Sequence, residues 1–86
     1  MELNRLDYCI MKLLNKKECT SFFESMTLQE IMEVTHTSRP TLYRKMMNLR
    51  EQGYVDKGCK ATQADTFYLL KKGVSIVENK GEMKDD

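Results

Sequence analysis

The chain has one histidine, one proline, three cysteines and no tryptophan, and no apolar run long enough to span a membrane. Each scarcity closes a class of function. A lone histidine, His36, with no carboxylate pair in an apolar setting and no glycine-rich phosphate loop, leaves no catalytic constellation, so no enzyme is expected. Cys9, Cys19 and Cys59 are odd in number and form no C-x-x-C pair, which implies neither a disulfide framework nor a zinc ribbon. Reduced thiols in a cytoplasmic protein are expected, and no metal or other cofactor. An oxidation-sensing Cys9 or Cys59 stays open, since that needs exposure and a lowered pKa. Met1-Glu2-Leu3-Asn4 begins no signal-peptide pattern, so no membrane partner is expected. There is no internal repeat, low-complexity tract or interdomain linker. Eighty-six residues make one domain with a modest core, expected over residues 1–79, followed by a polar, fraying tail over 80–86. No spare length remains for a separate ligand-binding domain, and no small-molecule substrate is evident.

Net charge is near zero, at +1, but it is unevenly spread. Residues 39–72 hold eight basic and three acidic side chains, a net +5 flanked by two segments at −2. A basic patch in a near-neutral chain is the footprint of a nucleic-acid contact face, or else an ordinary solvated surface. What decides between them is the stretch Thr27 to Val55. Thr27 and Glu30 form a Thr-x-x-Glu capping box, and Leu28, Ile31, Met32 and Val34 supply an apolar side. Thr35-His36-Thr37 breaks the pattern. Ser38 is a second N-cap, with Pro40 in the first turn, where a missing N–H costs little. Leu42, Met46 and Leu49 then recur at i, i+4 and i+7, and Gly53 stops the helix. The opposite face carries Ser38, Arg39, Thr41, Tyr43, Arg44 and Met47. A polar, basic, aromatic-bearing face opposite an apolar stripe can pack into a domain and still enter a major groove, where arginine bonds a guanine edge bidentately. The arrangement is a helix-turn-helix whose second helix reads the duplex.

Around it, Asn4 and Asp7 cap a first helix through about Lys16, with Leu3, Leu6, Ile10, Leu13 and Leu14 at helical spacing. Tyr8, Cys9 and Met11 widen its apolar surface, which fits either a helix crossing the core or a dimer contact. Residues 17–25 form a connection. One of Phe22 and Phe23 is expected to fill the core and the other to meet a partner subunit or a short strand near Ser25-Met26, with a stacked flat ligand as the alternative. Downstream, Tyr54–Cys59 reads as a strand, Lys60–Asp65 as a loop and Thr66–Leu70 as the return strand. This hairpin is a wing, or an ordinary solvated hairpin. Lys57 and Lys60 can reach phosphates, and Thr62 and Gln63 can bond sugar or base edges. Lys45 and Arg50 are expected near phosphates. A short last helix runs from Lys71 to Asn79, weakened by Gly73.

The segment TSRPTLYRKMMNLREQGYV resembles the recognition-helix region of winged helix-turn-helix regulators of the broad MarR-like kind, and FYLLKKGVSIVE resembles their second wing strand running into a last helix. The likeness covers residues 26–78. His36 stands where the turn usually has glycine, and Met32 where the preceding helix has a small residue. A histidine tolerates the left-handed backbone that such a turn needs, while Met32 implies a differently packed helix pair. The resemblance implies an α+β winged helix-turn-helix: a three-helix core, a β-hairpin wing and a short C-terminal helix. It also implies a transcriptional regulator, usually a repressor, binding double-stranded DNA as a homodimer. The long terminal helices of MarR-like dimers are absent, so their interface and ligand pocket are not carried over. Two alternatives remain: a plasmid- or phage-type accessory protein at an origin of replication or transfer, and a winged-helix protein-interaction module.

Overall fold

Local hydrogen bonding fixes where the chain turns helical. The computed structural model describes residues 3–84, with side chains described through Glu78. Helix α1 spans Arg5–Lys16. The amide N–H of Asp7 donates to Asn4 Oδ1 (3.1 Å), and the N–H of Asn4 donates to Asp7 Oδ2 (2.8 Å), closing the expected capping box. Helix α2 spans Leu28–Thr35 and starts the same way, with Thr27 and Glu30 bonded reciprocally at 2.9 and 3.1 Å. It ends at His36, which takes the left-handed conformation (φ 55°, ψ 40°) and donates its N–H to Met32 O. Helix α3 spans Arg39–Glu51. Gly53, at φ +85°, ends it: the N–H groups of Gly53 and Tyr54 return to Arg50 O and Leu49 O at 3.0 and 2.9 Å. These are the paired bonds of a Schellman stop, which a residue with a Cβ enters only at a cost. Helix α4 spans Lys71–Lys84, five residues past the expected end at Asn79 and into the expected tail.

Three short strands form one antiparallel sheet in the order β1-β3-β2, where β1 is Met26–Thr27, β2 is Val55–Lys57 and β3 is Thr66–Leu69. Met26 pairs with Phe67, and Val55 with Leu69. β1 is the short strand expected near Ser25-Met26. β2 is shorter than the expected 54–59, because Cys59 leaves the ladder and donates its N–H to Phe22 O (2.8 Å). The expected six-residue tip is tighter than a loop. Ala61 and Ala64 exchange N–H···O bonds of 3.1 and 2.9 Å around a two-residue turn of Thr62 and Gln63.

The helices and sheet enclose one core. Ile10, Met11 and Leu14 of α1 meet Leu28 and Ile31 of α2, Leu42, Met46 and Leu49 of α3, Val55, Phe67 and Leu69 of the sheet, and Val77 of α4. The i, i+4, i+7 stripe of α3 is fully buried, as expected. Met11 belongs to the core rather than to a widened outer face. Two expectations fail. Neither Phe22 nor Phe23 fills the core: they are 49% and 80% exposed and meet edge to face, 5.2 Å apart. Residues 21–24 form a tight turn closed by Glu24 N–H on Ser21 O, which pushes its two central residues outward. Phe67 on the central strand fills the core instead. Val34 is also exposed, because α2 is only eight residues long and Leu28 and Ile31 supply its buried side.

Candidate nucleic-acid interface

Burying Leu42, Met46 and Leu49 turns the other side of α3 to solvent. Arg39, Tyr43 and Arg44 are exposed, Ser38 is exposed at the N-cap, and Thr41 is half-buried. Among the described residues, neither Arg39 nor Arg44 is held in an ion pair. Ser38 has the extended backbone of an N-cap, but its hydroxyl makes no capping bond, and no acid stands in the first turn of α3. The leading amides of that helix therefore keep their bonding capacity for another acceptor.

The wing comes to the same place. A cleft of about 250 Å³ is lined by Leu28 and Gln29 at the start of α2, Arg39 and Tyr43 on α3, and Gln63, Ala64 and Asp65 on the wing. Three expected contact residues, Arg39, Tyr43 and Gln63, thus converge from elements far apart in the chain. Thr62 sits beside them at the exposed tip with φ 61°, an unusual conformation for a β-branched residue. Nothing in the sequence singles out Gln29 or Asp65. Gln29 stands on α2 ahead of the turn, and Asp65 reads as an ordinary loop acid until the fold places it beside Arg39.

Several expected cations are already engaged. Lys45 points inward: its Nζ lies 3.4 Å from Asp7 Oδ1, with the two side chains 17% and 0% exposed. It ties α3 to α1 and does not share the Arg39 face. Lys57 and Lys60 share one carboxylate, Asp65, at 3.6 and 3.7 Å. Arg50 holds Asp56 at 2.9 Å, and that hydrogen bond, aided by the N–H of Lys57, keeps the Asp56 carboxyl below its ordinary range. Cys19 is buried, and burial, followed by the nearby charges of Glu30 and Glu24, pushes its thiol pKa up. Among the described residues no group of three or more His, Cys, Asp or Glu side chains could hold a metal, and no helix is long and apolar enough to cross a membrane.

A helix-turn-helix closed by an antiparallel hairpin beside its second helix defines a winged helix-turn-helix protein. No model of a known protein family matches the sequence. The chain is 30% identical over 79 residues to the DNA-binding protein TubR of Clostridium botulinum C phage, covering 92% of this chain and 98% of that one. It belongs to the TubR family of DNA-binding proteins. The solution structure of the DNA-binding TubR fragment from Clostridium botulinum is 28% identical, with a TM-score of 0.74 over 93% of this chain and 99% of the fragment. TubR from Bacillus megaterium pBM400 shares the fold at a TM-score of 0.83 and 16% identity, over 92% of this chain and 87% of that one. MepR, a transcription regulator of the Staphylococcus aureus multidrug efflux pump MepA, shares it at 0.83 and 15% identity. That match takes in 95% of this chain but only 58% of MepR.

Proposed function

We propose that the protein binds double-stranded DNA sequence-specifically, as a homodimer, with α3 in the major groove and the wing on the backbone or minor groove. The observation that carries this reading is the convergence of Arg39, Tyr43 and Gln63 on one cleft between α3 and the wing. Arg39 and Arg44 are free to meet guanine edges or phosphates, while Ser38, Thr41 and Tyr43 supply hydroxyls along the same helix. Lys57, Lys60 and Thr62 place the wing against the backbone. The TubR relative is named a DNA-binding protein, which supports the assignment. The protein is read as a binding protein rather than an enzyme, acting in the cytoplasm.

A repressor at a promoter and an accessory protein at an origin of replication or transfer would use the same surface. The relatives' sources, a phage and pBM400, favour a protein that marks a site on its own replicon. Selection of bound sequences from a random duplex pool at near-physiological salt tests this. An enriched motif with two related half-sites establishes specific dimeric binding, and its genomic position separates promoter from origin. A lack of any affinity for random duplex even at low salt would overturn the reading in favour of a protein-interaction module.

A further inference from the structure

Among the described residues, Asp65 is the one acid lining the cleft that holds Arg39, Tyr43 and Gln63. Its backbone carbonyl accepts the N–H of Leu28 at the start of α2 (3.3 Å), so it is fixed between the wing and the helix-turn-helix. Each carboxylate oxygen faces a different lysine: Oδ2 is 3.6 Å from Lys57 and Oδ1 is 3.7 Å from Lys60. Asp65 is 32% exposed, and the lysines are 35% and 65% exposed. Such long, partly solvated pairs are weak and exchange readily. They also involve the two wing cations that backbone attachment needs.

We infer that Asp65 is a specificity-determining residue, whose carboxylate holds the wing lysines back from phosphates and so suppresses binding to duplexes that offer it no hydrogen-bond donor. The inference rests on the DNA-binding reading above. When Lys57 and Lys60 turn to phosphates, Asp65 loses both partners beside a polyanion. A duplex that presents a base amine to the wing, as guanine does through N2 in the minor groove, can replace them. A site with no amine at that position cannot, and like-charge repulsion then works against it. Discrimination by a repulsive group is a general route to specificity.

Asp65→Asn keeps the shape and the backbone bond to Leu28 while removing the charge, which raises the net charge of the Lys57–Lys60–Asp65 group from +1 to +2. The test is fluorescence anisotropy of the full chain over a salt series, on a random-sequence duplex and on the duplex enriched by selection. The expected result is several-fold tighter binding to the random duplex, a salt slope steeper by about 0.9, and a smaller enriched-to-random ratio. Asp65→Glu should keep the wild-type ratio, and adding Lys60→Gln to Asp65→Asn should remove the extra slope. An unchanged slope and ratio overturn the inference, and so does equal weakening on both duplexes with an unchanged melting temperature. Should Asp65→Asn fail to fold, the Asp65→Glu and Lys60→Gln single variants still decide. Lys60→Gln alone lowers the charge of the group from +1 to 0, so the random-duplex slope should flatten by about 0.9, while the enriched-to-random ratio should stay at or above the wild-type value because the carboxylate is left with one lysine. A ratio that falls overturns the idea. Wild-type protein that binds neither duplex at low salt sinks the DNA-binding reading itself, a failure distinct from that of Asp65.

Discussion

At the scale of single residues, the partner decides what a charged side chain does. Asp7 is wholly buried, and among the described residues its Oδ1 has no hydrogen-bond partner. Lys45 is the cation that keeps this carboxylate tolerable. Lys45→Ala is therefore expected to destabilise the fold by about 3 kcal/mol, the low end for breaking a buried pair, since Nζ stays 3.4 Å away and partly wet. Urea unfolding measures this, while the salt slope on random duplex should stay put. A flatter slope with an unchanged unfolding midpoint would put Lys45 on a phosphate. Arg39, exposed at the first turn of α3, behaves oppositely. Arg39→Ala should leave stability unchanged and cost about 1–3 kcal/mol of specific binding, with relaxed preference at one base position. Equal loss on every sequence would make it a phosphate anchor. The thiols divide in the same way. Cys59 is exposed, whereas burial and two neighbouring carboxylates disfavour the Cys19 thiolate. A thiol-specific reagent at neutral pH should modify Cys59 promptly and Cys19 only as the protein unfolds.

At the scale of elements, the last helix seats itself through a glycine. Gly73 has the character of a weak point in α4, since alanine would be the better helix former by up to about 1 kcal/mol. In the fold it is a contact. A Cβ there would lie 2.7 Å from Tyr54 O and 2.5 Å from Leu69 Cδ1, where α4 leaves the sheet. Gly73→Ala should thus destabilise, by about 1–3 kcal/mol of overpacking, and thermal unfolding reads the sign directly. Stabilisation would mean that α4 can shift outward freely. The same contrast explains what could be read from the chain. The capping boxes of Asn4 with Asp7 and Thr27 with Glu30 span three residues, and Leu42, Met46 and Leu49 span two turns, so local spacing reveals them. Pairs across the fold leave no such trace. Lys45 and Asp7 are 38 residues apart, and Phe22 is drawn outward by a turn whose carbonyl serves Cys59. Two lysines on Asp65 resemble a plain basic loop until the wing closes. The extension of α4 to Lys84 likewise has no periodic apolar signal to announce it.

At the scale of the whole molecule, only some of the eight basic side chains of residues 39–72 are free to face a duplex. Lys45, Arg50, Lys57 and Lys60 are each bonded to a carboxylate, and Lys72 donates to Gln52 O (2.9 Å) while lying over the Tyr54 ring. A single wing and helix with few free cations gains modest affinity, and a second copy is the usual remedy. The surface available for it is on α1. Leu6 and Leu13 are half-buried and Cys9 exposed, one stripe at i, i+3 and i+7 beside the buried stripe of Ile10 and Leu14. If two copies meet there, Cys9→Glu, at the exposed member of that stripe, should yield a monomer by sedimentation with a nearly unchanged melting temperature. Its affinity for a two-half-site duplex should fall by about 10²-fold or more, while binding to one half-site persists, because only the linkage between sites is lost. Cys9 gives an independent readout. Its modification should slow as protein concentration rises, whereas that of Cys59 should not. A Cys9 rate independent of concentration, alongside a wild-type dimer, would move the interface off α1 and leave α4 or the Phe22-Phe23 turn to form it.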